Sequence, residues 1–273
     1  MAKTAWQQRI RRAENLAAQH PFAGEILGFY QHVARFQEEV HQRIERVSPA
    51  VERTVLALSG RQESGDGSAL CPEIFASFPP FLAMVASYGP ERVAQDAREL
   101  RSTSDSVQSD LLNTVWSSAG EPPQRPEEFL ALAFLQPYAE FVRSRSRLQI
   151  EGYSHSLCPL CSRKPVLGVL RQQGDGGRRS LLCGFCVTEW EFRRVVCPGC
   201  GQEDHTKLPV YTTESFPYIR VECCDSCQTY IKSIDLTKNG LADPLVDEMA
   251  SLPLDLWAQE HGYAKLQLNL LGM

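Results

Sequence analysis

A basic excess, a long apolar run and a catalytic motif are all missing from this chain. Its 273 residues hold 28 lysines and arginines against 33 aspartates and glutamates, a formal net charge of -5. Residues 1–156 carry 16 basic and 19 acidic side chains, and the remainder 12 and 14. Nucleic-acid binders gather Lys and Arg into a stripe or a domain. The even balance argues against that class. The acidic surplus is also too small and dispersed for an acidic tail. The most apolar stretch, FLALAFLQPYAEFV, falls short of the ~20 residues that a membrane span needs. It also contains Gln136 and Pro137, so no membrane insertion is expected. The opening stretch, MAKTAWQQRIRRAENLAAQH, lacks an apolar core of secretory length. Arg11 and Arg12 form a double arginine, but no hydrophobic run follows, so no export signal is expected there. There is no Gly-x-Ser-x-Gly elbow, phosphate loop, dinucleotide fingerprint or His-Glu-x-x-His helix. GDGG at 174–177 is too short, and no helix pattern follows it. The expectation is a protein that is not an enzyme.

What the chain does have is cysteine. Four Cys-x-x-Cys pairs lie between Cys158 and Cys227: CPLC, CGFC, CPGC and CDSC. They group two and two. Cys161 and Cys183 are separated by 21 residues, and Cys200 and Cys224 by 23. Each gap has the length of a β-hairpin or small three-stranded sheet. Each couple can therefore turn four thiolates onto one tetrahedral ion. The predicted sites are Cys158, Cys161, Cys183 and Cys186 for one ion, and Cys197, Cys200, Cys224 and Cys227 for the other. Repeated pairs of this kind are a metal pattern rather than a disulfide pattern, which points to a reducing, cytoplasmic setting. Spacing does not separate zinc from iron, since both accept tetrahedral sulfur. CPGCG resembles a rubredoxin knuckle, whereas closed four-cysteine ribbons are usually zinc sites.

The texture of the chain changes near residue 152. Before it, Ile26, Phe29, Tyr30, Val33, Phe36, Val40 and Ile44 recur at spacings of three and four, one apolar face of a long helix. Ser48-Pro49 predicts a break and a new helix start. GRQESGDGS (60–68) and SAGEPPQRP read as linkers. Helical patterns cover EIFASF, PERVAQDAREL and SDSVQSDLLNTVW, and one more amphipathic helix covers 127–148. After it, strand-like stretches alternate with the cysteine pairs: KPVLGVLR, RRSLLC, RVVC, TKLPVYTT, YIRVEC and TYIKSIDL. DPLVDEMASL and PLDLWAQEHGY return to helix, with Asp243 as the cap of the first.

The fold class expected is α+β and multidomain. An all-α N-terminal domain (1–150) precedes two tandem rubredoxin-like or zinc-ribbon β modules (152–194 and 195–240). A short C-terminal helical segment (241–273) follows. About 40 residues per ribbon are too few for a substantial core. A four-thiolate site supplies roughly 10–16 kcal/mol of apparent binding energy at neutral pH, so the metal is expected to fold this half.

Other residues carry weaker signals. Cys223 beside the last pair reads as a small strand residue, with a redox thiol as the alternative. Cys71 reads as a buried helix-start residue. His155 precedes Cys158 closely, but four thiolates already fill a tetrahedron. Trp190 reads as packing between the ribbons. Together with Glu189 and Arg193 it is also a candidate partner contact, because aromatic residues beside charge make good anchors. Arg193-Arg194 and Arg178-Arg179 read as solvated strand-edge charges, with binding of an acidic peptide or phosphate as the alternative.

The residues resemble those of the formate dehydrogenase accessory proteins of the FdhE type. The resemblance rests on the four cysteine pairs in order and on Thr188-Glu189-Trp190 after the second pair. It rests also on DSCQTYIK at the fourth pair and on DPLVDEMASLPLDLWAQEHGYAK. It implies a cytoplasmic factor required for active respiratory formate dehydrogenase, acting on the catalytic subunit before its twin-arginine export. It implies rubredoxin-type iron, two ions per chain, where the usual occupancy of closed four-cysteine ribbons leaned to zinc. A rubredoxin-like electron carrier is the alternative function. A nucleic-acid-binding zinc ribbon is disfavoured by charge.

Overall fold

The computed structural model describes residues 4–59, 72–118, 123–174 and 176–273. The stretch 60–68, Cys71, residues 119–122 of the second linker and Asp175 lie outside them. Among the described residues, seven helices come first: α1 (Ala5–Gln19), α2 (Gly24–Ser59), α3 (Pro72–Phe75), α4 (Phe78–Tyr88), α5 (Glu91–Arg101), α6 (Asp105–Ser117) and α7 (Pro126–Arg145). Local chemistry sets their ends. Thr4 and Gln7 form a capping box on α1, satisfying donors that the first turn leaves open. Ser104 accepts from the Val107 N–H at the start of α6. In α7, Pro126 opens the helix, Glu127 and Glu128 occupy the first turn, and Arg143 and Arg145 the last, as the helix dipole favours.

Two helical expectations need correction. Ser48-Pro49 does not break α2, which runs through to Ser59. A proline inside a helix forfeits one hydrogen bond, and the turns on both sides carry the helix across. Nor is α7 amphipathic. Every residue from Leu130 to Ala139 is buried, so α7 is the central helix of its layer rather than a surface one.

The strands are β1 (Leu167–Gln173), β2 (Gly176–Leu182), β3 (Glu189–Glu191), β4 (Val210–Thr212), β5 (Ile219–Cys224), β6 (Thr229–Asp235) and β7 (Ala264–Lys265). Two helices, α8 (Pro244–Ala250) and α9 (Leu252–Glu260), lie between β6 and β7. RVVC (194–197), expected as a strand, is a turn; the third strand of the first ribbon is β3, where Leu181 pairs with Trp190.

Each ribbon is three antiparallel strands, β1–β2–β3 and β4–β5–β6. The two are not separate sheets. β1 pairs with β6 in parallel, from Leu167 opposite Lys232 to Leu170 opposite Asp235, giving the order β3-β2-β1-β6-β5-β4. Gly168 makes the seam possible: a Cβ there would stand 2.2 Å from the Ser233 Oγ.

The apolar core crosses the boundary near residue 150. Val115, Leu130 and Phe134 belong to the same buried cluster as Leu181, Phe185 and Trp190. In a second cluster, Val246, Met249 and Ala250 of α8 pack with Trp6, Leu16 and Leu27. Of two ion pairs made by α1, one stays among the first helices and one repeats the link to α8. Arg9 reaches Glu140 of α7 at 2.7 Å, and the Arg12 Nε donates to Asp247 of α8 at 2.9 Å. The chain thus joins a helical first part to a strand-containing second part. No helix among the described residues is long and apolar enough to cross a membrane.

Candidate metal centres

The four pairs make four turns of one design. In each, the residue after the second cysteine has positive φ: Ser162 (58°), Val187 (54°), Gly201 (77°) and Gln228 (54°). Among the described residues, the three non-glycine members are the only non-glycine residues in that region. A β-branched residue such as Val187 is rarely found there. The turn is held by its own backbone. Ser162 N–H donates to Cys158 O, Gly201 N–H to Cys197 O, and Gln228 N–H to Cys224 O, at 2.8–2.9 Å. Cys158 N–H and Cys197 N–H close the same turns onto Arg163 O and Gln202 O, both at 2.9 Å.

Pairing of the strands then brings the turns together two by two. Cys158, Cys161, Cys183 and Cys186 form one quartet, and Cys197, Cys200, Cys224 and Cys227 the other. Within each, all sulfurs lie within 4.8 Å of one another. In the first, Cys158–Cys186 and Cys161–Cys183 are each 3.4 Å apart. In the second, Cys197–Cys227 and Cys200–Cys224 are each 3.7 Å apart. A tetrahedron with metal–sulfur bonds of about 2.3 Å has edges of about 3.8 Å. A disulfide would be far shorter, about 2.05 Å. The geometry is that of a four-thiolate metal site, and both quartets could hold an ion.

Hydrogen bonds to sulfur tune such sites, and sequence reasoning missed those from threonine. The Thr188 Oγ1 lies 3.1 Å from the Cys186 Sγ, and the Thr229 Oγ1 3.1 Å from the Cys227 Sγ. Gly199 N–H donates to the Cys197 Sγ at 3.3 Å. The repeated Cys-x-Thr of CVT and CQT was the available signal.

The two quartets differ in surroundings. The first is seated on the helices: Gln136 donates to Gly184 O at 2.9 Å, and Trp116 meets Phe185 edge-on at 5.8 Å. The Arg163 guanidinium lies over Phe185 and donates to Val115 O. Three of its cysteines are buried. In the second quartet Cys200 is exposed and Cys227 half-buried.

The remaining candidates fall as follows. Trp190 is 1% exposed and donates its indole N–H to His155 O at 2.9 Å. A side chain so enclosed packs; it is not available as an anchor for a partner. Glu189 pairs with Arg171 at 2.8 Å, and the exposed Arg193 pairs with the exposed Glu203 at 2.6 Å. Arg179 is buried and bonded to Glu222, not a solvated edge charge. Cys223 is buried, and burial pushes its thiol up to about 12, which leaves it a packing residue rather than a reactive thiolate.

Comparison with known proteins agrees with this geometry. The family model described as FdhE, central domain, matches residues 157–194, and FdhE, C-terminal domain, matches residues 195–271. The chain is similar throughout to the crystal structure of the FdhE protein from Pseudomonas aeruginosa. The TM-score is 0.69 and the identity 25%, covering 97% of this chain and 95% of that one. The chain belongs to the FdhE family. A protein FdhE homolog from Aquifex aeolicus is 26% identical over 269 residues, 96% of this chain and 94% of the relative. One from Pseudomonas aeruginosa is 37% identical over 127 residues, 45% of this chain and 41% of the relative.

Proposed function

We propose that this protein is a cytoplasmic maturation factor for respiratory formate dehydrogenase, binding the catalytic subunit before export and performing no catalysis itself. Family membership supports the accessory role. The observation that carries the rest is the closure of both cysteine quartets. Four thiolates complete a tetrahedron and leave no position for a substrate. Such a centre holds a surface in shape or passes an electron.

The ions in this reading are iron, two per chain, with zinc as the alternative; the sulfur separations suit either. One is held by Cys158, Cys161, Cys183 and Cys186, the other by Cys197, Cys200, Cys224 and Cys227. When bound, each ion supplies folding energy to its own ribbon. The chain's own residues set the cradle through the four backbone turns, Thr188 and Thr229. The proposed contact with the enzyme includes Glu189, on the β3 strand that Trp190 fixes from inside, and Arg193, two residues beyond its end.

Cells lacking the protein should make formate dehydrogenase polypeptide that is inactive, and a pull-down with the catalytic subunit should retain this protein. Normal respiratory formate oxidation in such cells would end the reading. The exposure of Cys200 favours one second reading, electron transfer through the outer centre. An iron-loaded protein whose colour does not bleach on reduction would dismiss it.

A further inference from the structure

The sheet has one covered face and one open trough. Val169, Ile219 and Ile234 point to the side packed under Leu245 of α8 and Leu254 of α9. Their neighbours in register point the other way. There, Leu170 and Ile231 floor a cleft of about 450 Å³ beside Cys197 and Cys224 of the second quartet. Val195 and Val210, 50% and 54% exposed, stand at its sides. A second hollow of about 540 Å³ shares Leu170, Arg194 and Arg220 with it and continues the trough.

Charge in the trough is not balanced. Arg179 is paired with Glu222, and Arg220 with Asp235. Arg194, which lines both hollows, is exposed and makes no hydrogen bond or ion pair among the described residues. Among the charged lining side chains other than the cysteines, one positive charge is left over. Arg179, only 3% exposed, adds an unused donor: Nη1 and Nη2 bond Arg193 O and Glu222, but Nε has no partner. A buried N–H without an acceptor is costly, and here it belongs to a residue that lines a cleft.

We propose that this trough binds an extended peptide segment through an acidic side chain, received by Arg194, with apolar neighbours on Val195 and Val210. An acidic side chain fits better than a chain terminus, because Arg194 stands where the two hollows meet. A terminal carboxylate there would leave one hollow empty. The volume suits a ligand site, and a guanidinium suits a carboxylate. The maturation reading supplies the source of the peptide, a segment of the enzyme subunit; the chemistry of the trough stands apart from it.

The test is fluorescence anisotropy on the metal-loaded full chain. The probe is fluorescein-labelled Gly-Val-Leu-Glu-Val-Leu-Gly amide, compared with the same peptide carrying Gln for Glu. The Glu probe should bind about tenfold tighter or more, the size of one charge-assisted contact. Arg194→Ala should abolish that preference while both ions and the far-UV circular dichroism stay unchanged. Arg194 makes no hydrogen bond or ion pair among the described residues, so this variant is the informative one; Arg179 is not substituted because it neutralises the half-buried Glu222. Equal affinity for the two probes, or an unchanged preference in Arg194→Ala, would overturn the proposal. So would tighter binding of the Gln peptide bearing a free terminal carboxylate. Normal formate oxidation in cells lacking the protein would remove the maturation role and leave the anisotropy result in place.

Discussion

Replacing Lys232 with Met should cost about 3–5 kcal/mol of stability, the cost of breaking a buried ion pair by removing one partner. Lys232 is 0% exposed. Its Nζ donates to the Asp255 Oδ2 at 2.6 Å, the Ser251 Oγ at 3.0 Å and Glu248 O at 2.6 Å. Lys265 lies against the Glu248 carboxylate and 3.2 Å from the Asp255 Oδ1. Tyr230 and Asn269 donate to Asp255 and Glu248 at 2.7 and 2.8 Å. Two ammonium groups thus face two carboxylates in the seam between β6 and the C-terminal helices. Lys232→Met keeps most of the volume, so a cavity is not the main cost. It leaves one carboxylate in excess, out of reach of water. The loss is a large part of the about 5–15 kcal/mol that holds a typical domain. Urea unfolding at saturating metal, followed by circular dichroism with the slope unchanged, measures it. Adding Asp255→Asn should recover part of the loss, since neighbours in one network are not additive. A cost under about 1 kcal/mol would refute the reasoning. It would mean that burial, which pulls the Lys232 pKa down, has already left the amine neutral.

Four further outcomes are expected. Burial opposes charge on Glu248, but Lys232, Lys265 and Asn269 outweigh it and hold the carboxyl at about 2, below its usual 4.5; its stabilisation is full above 4.5 and lost as pH falls towards 2, so Glu248→Gln should flatten the acid limb of a stability profile. Arg12→Ala should cost about 2–3 kcal/mol, because the Asp247 side chain is 0% exposed, and thermal unfolding should show this with both ions retained. A chromophoric chelator should empty the second quartet before the first, since Cys200 is exposed while Cys158, Cys183 and Cys186 are buried; a single rate for both ions would contradict this. Residues 1–150 expressed alone should keep a helical spectrum yet bind an apolar dye, because the α6 and α7 surfaces that meet Phe185 and Gly184 are left bare; an unfolded spectrum would reject the boundary at 150.

The grouping of the cysteines into two quartets was readable because a knuckle is local. A Cys-x-x-Cys pair and the gap to its partner fix which thiolates a hairpin can bring together, and the quartets fall as the spacing required. The apolar face of α2 and the Asp243 cap on α8 were readable for the same reason: each depends on residues within a turn or two. Trp190 shows where that reach ends. From sequence it reads as packing between the ribbons or as a partner contact, but register places it opposite Leu181 and under the helical layer. Lys232 is the same case in charge: a lysine in a strand reads as solvated until Glu248 and Asp255 arrive from helices further along the chain. The parallel seam of β1 and β6, which turns two ribbons into one sheet and opens the trough on its far face, joins segments about 60 residues apart. The sequence by itself determined which atoms could bind metal and which stretches coil. Only the tertiary structure decided which faces are covered, because burial belongs to the neighbour that does the covering.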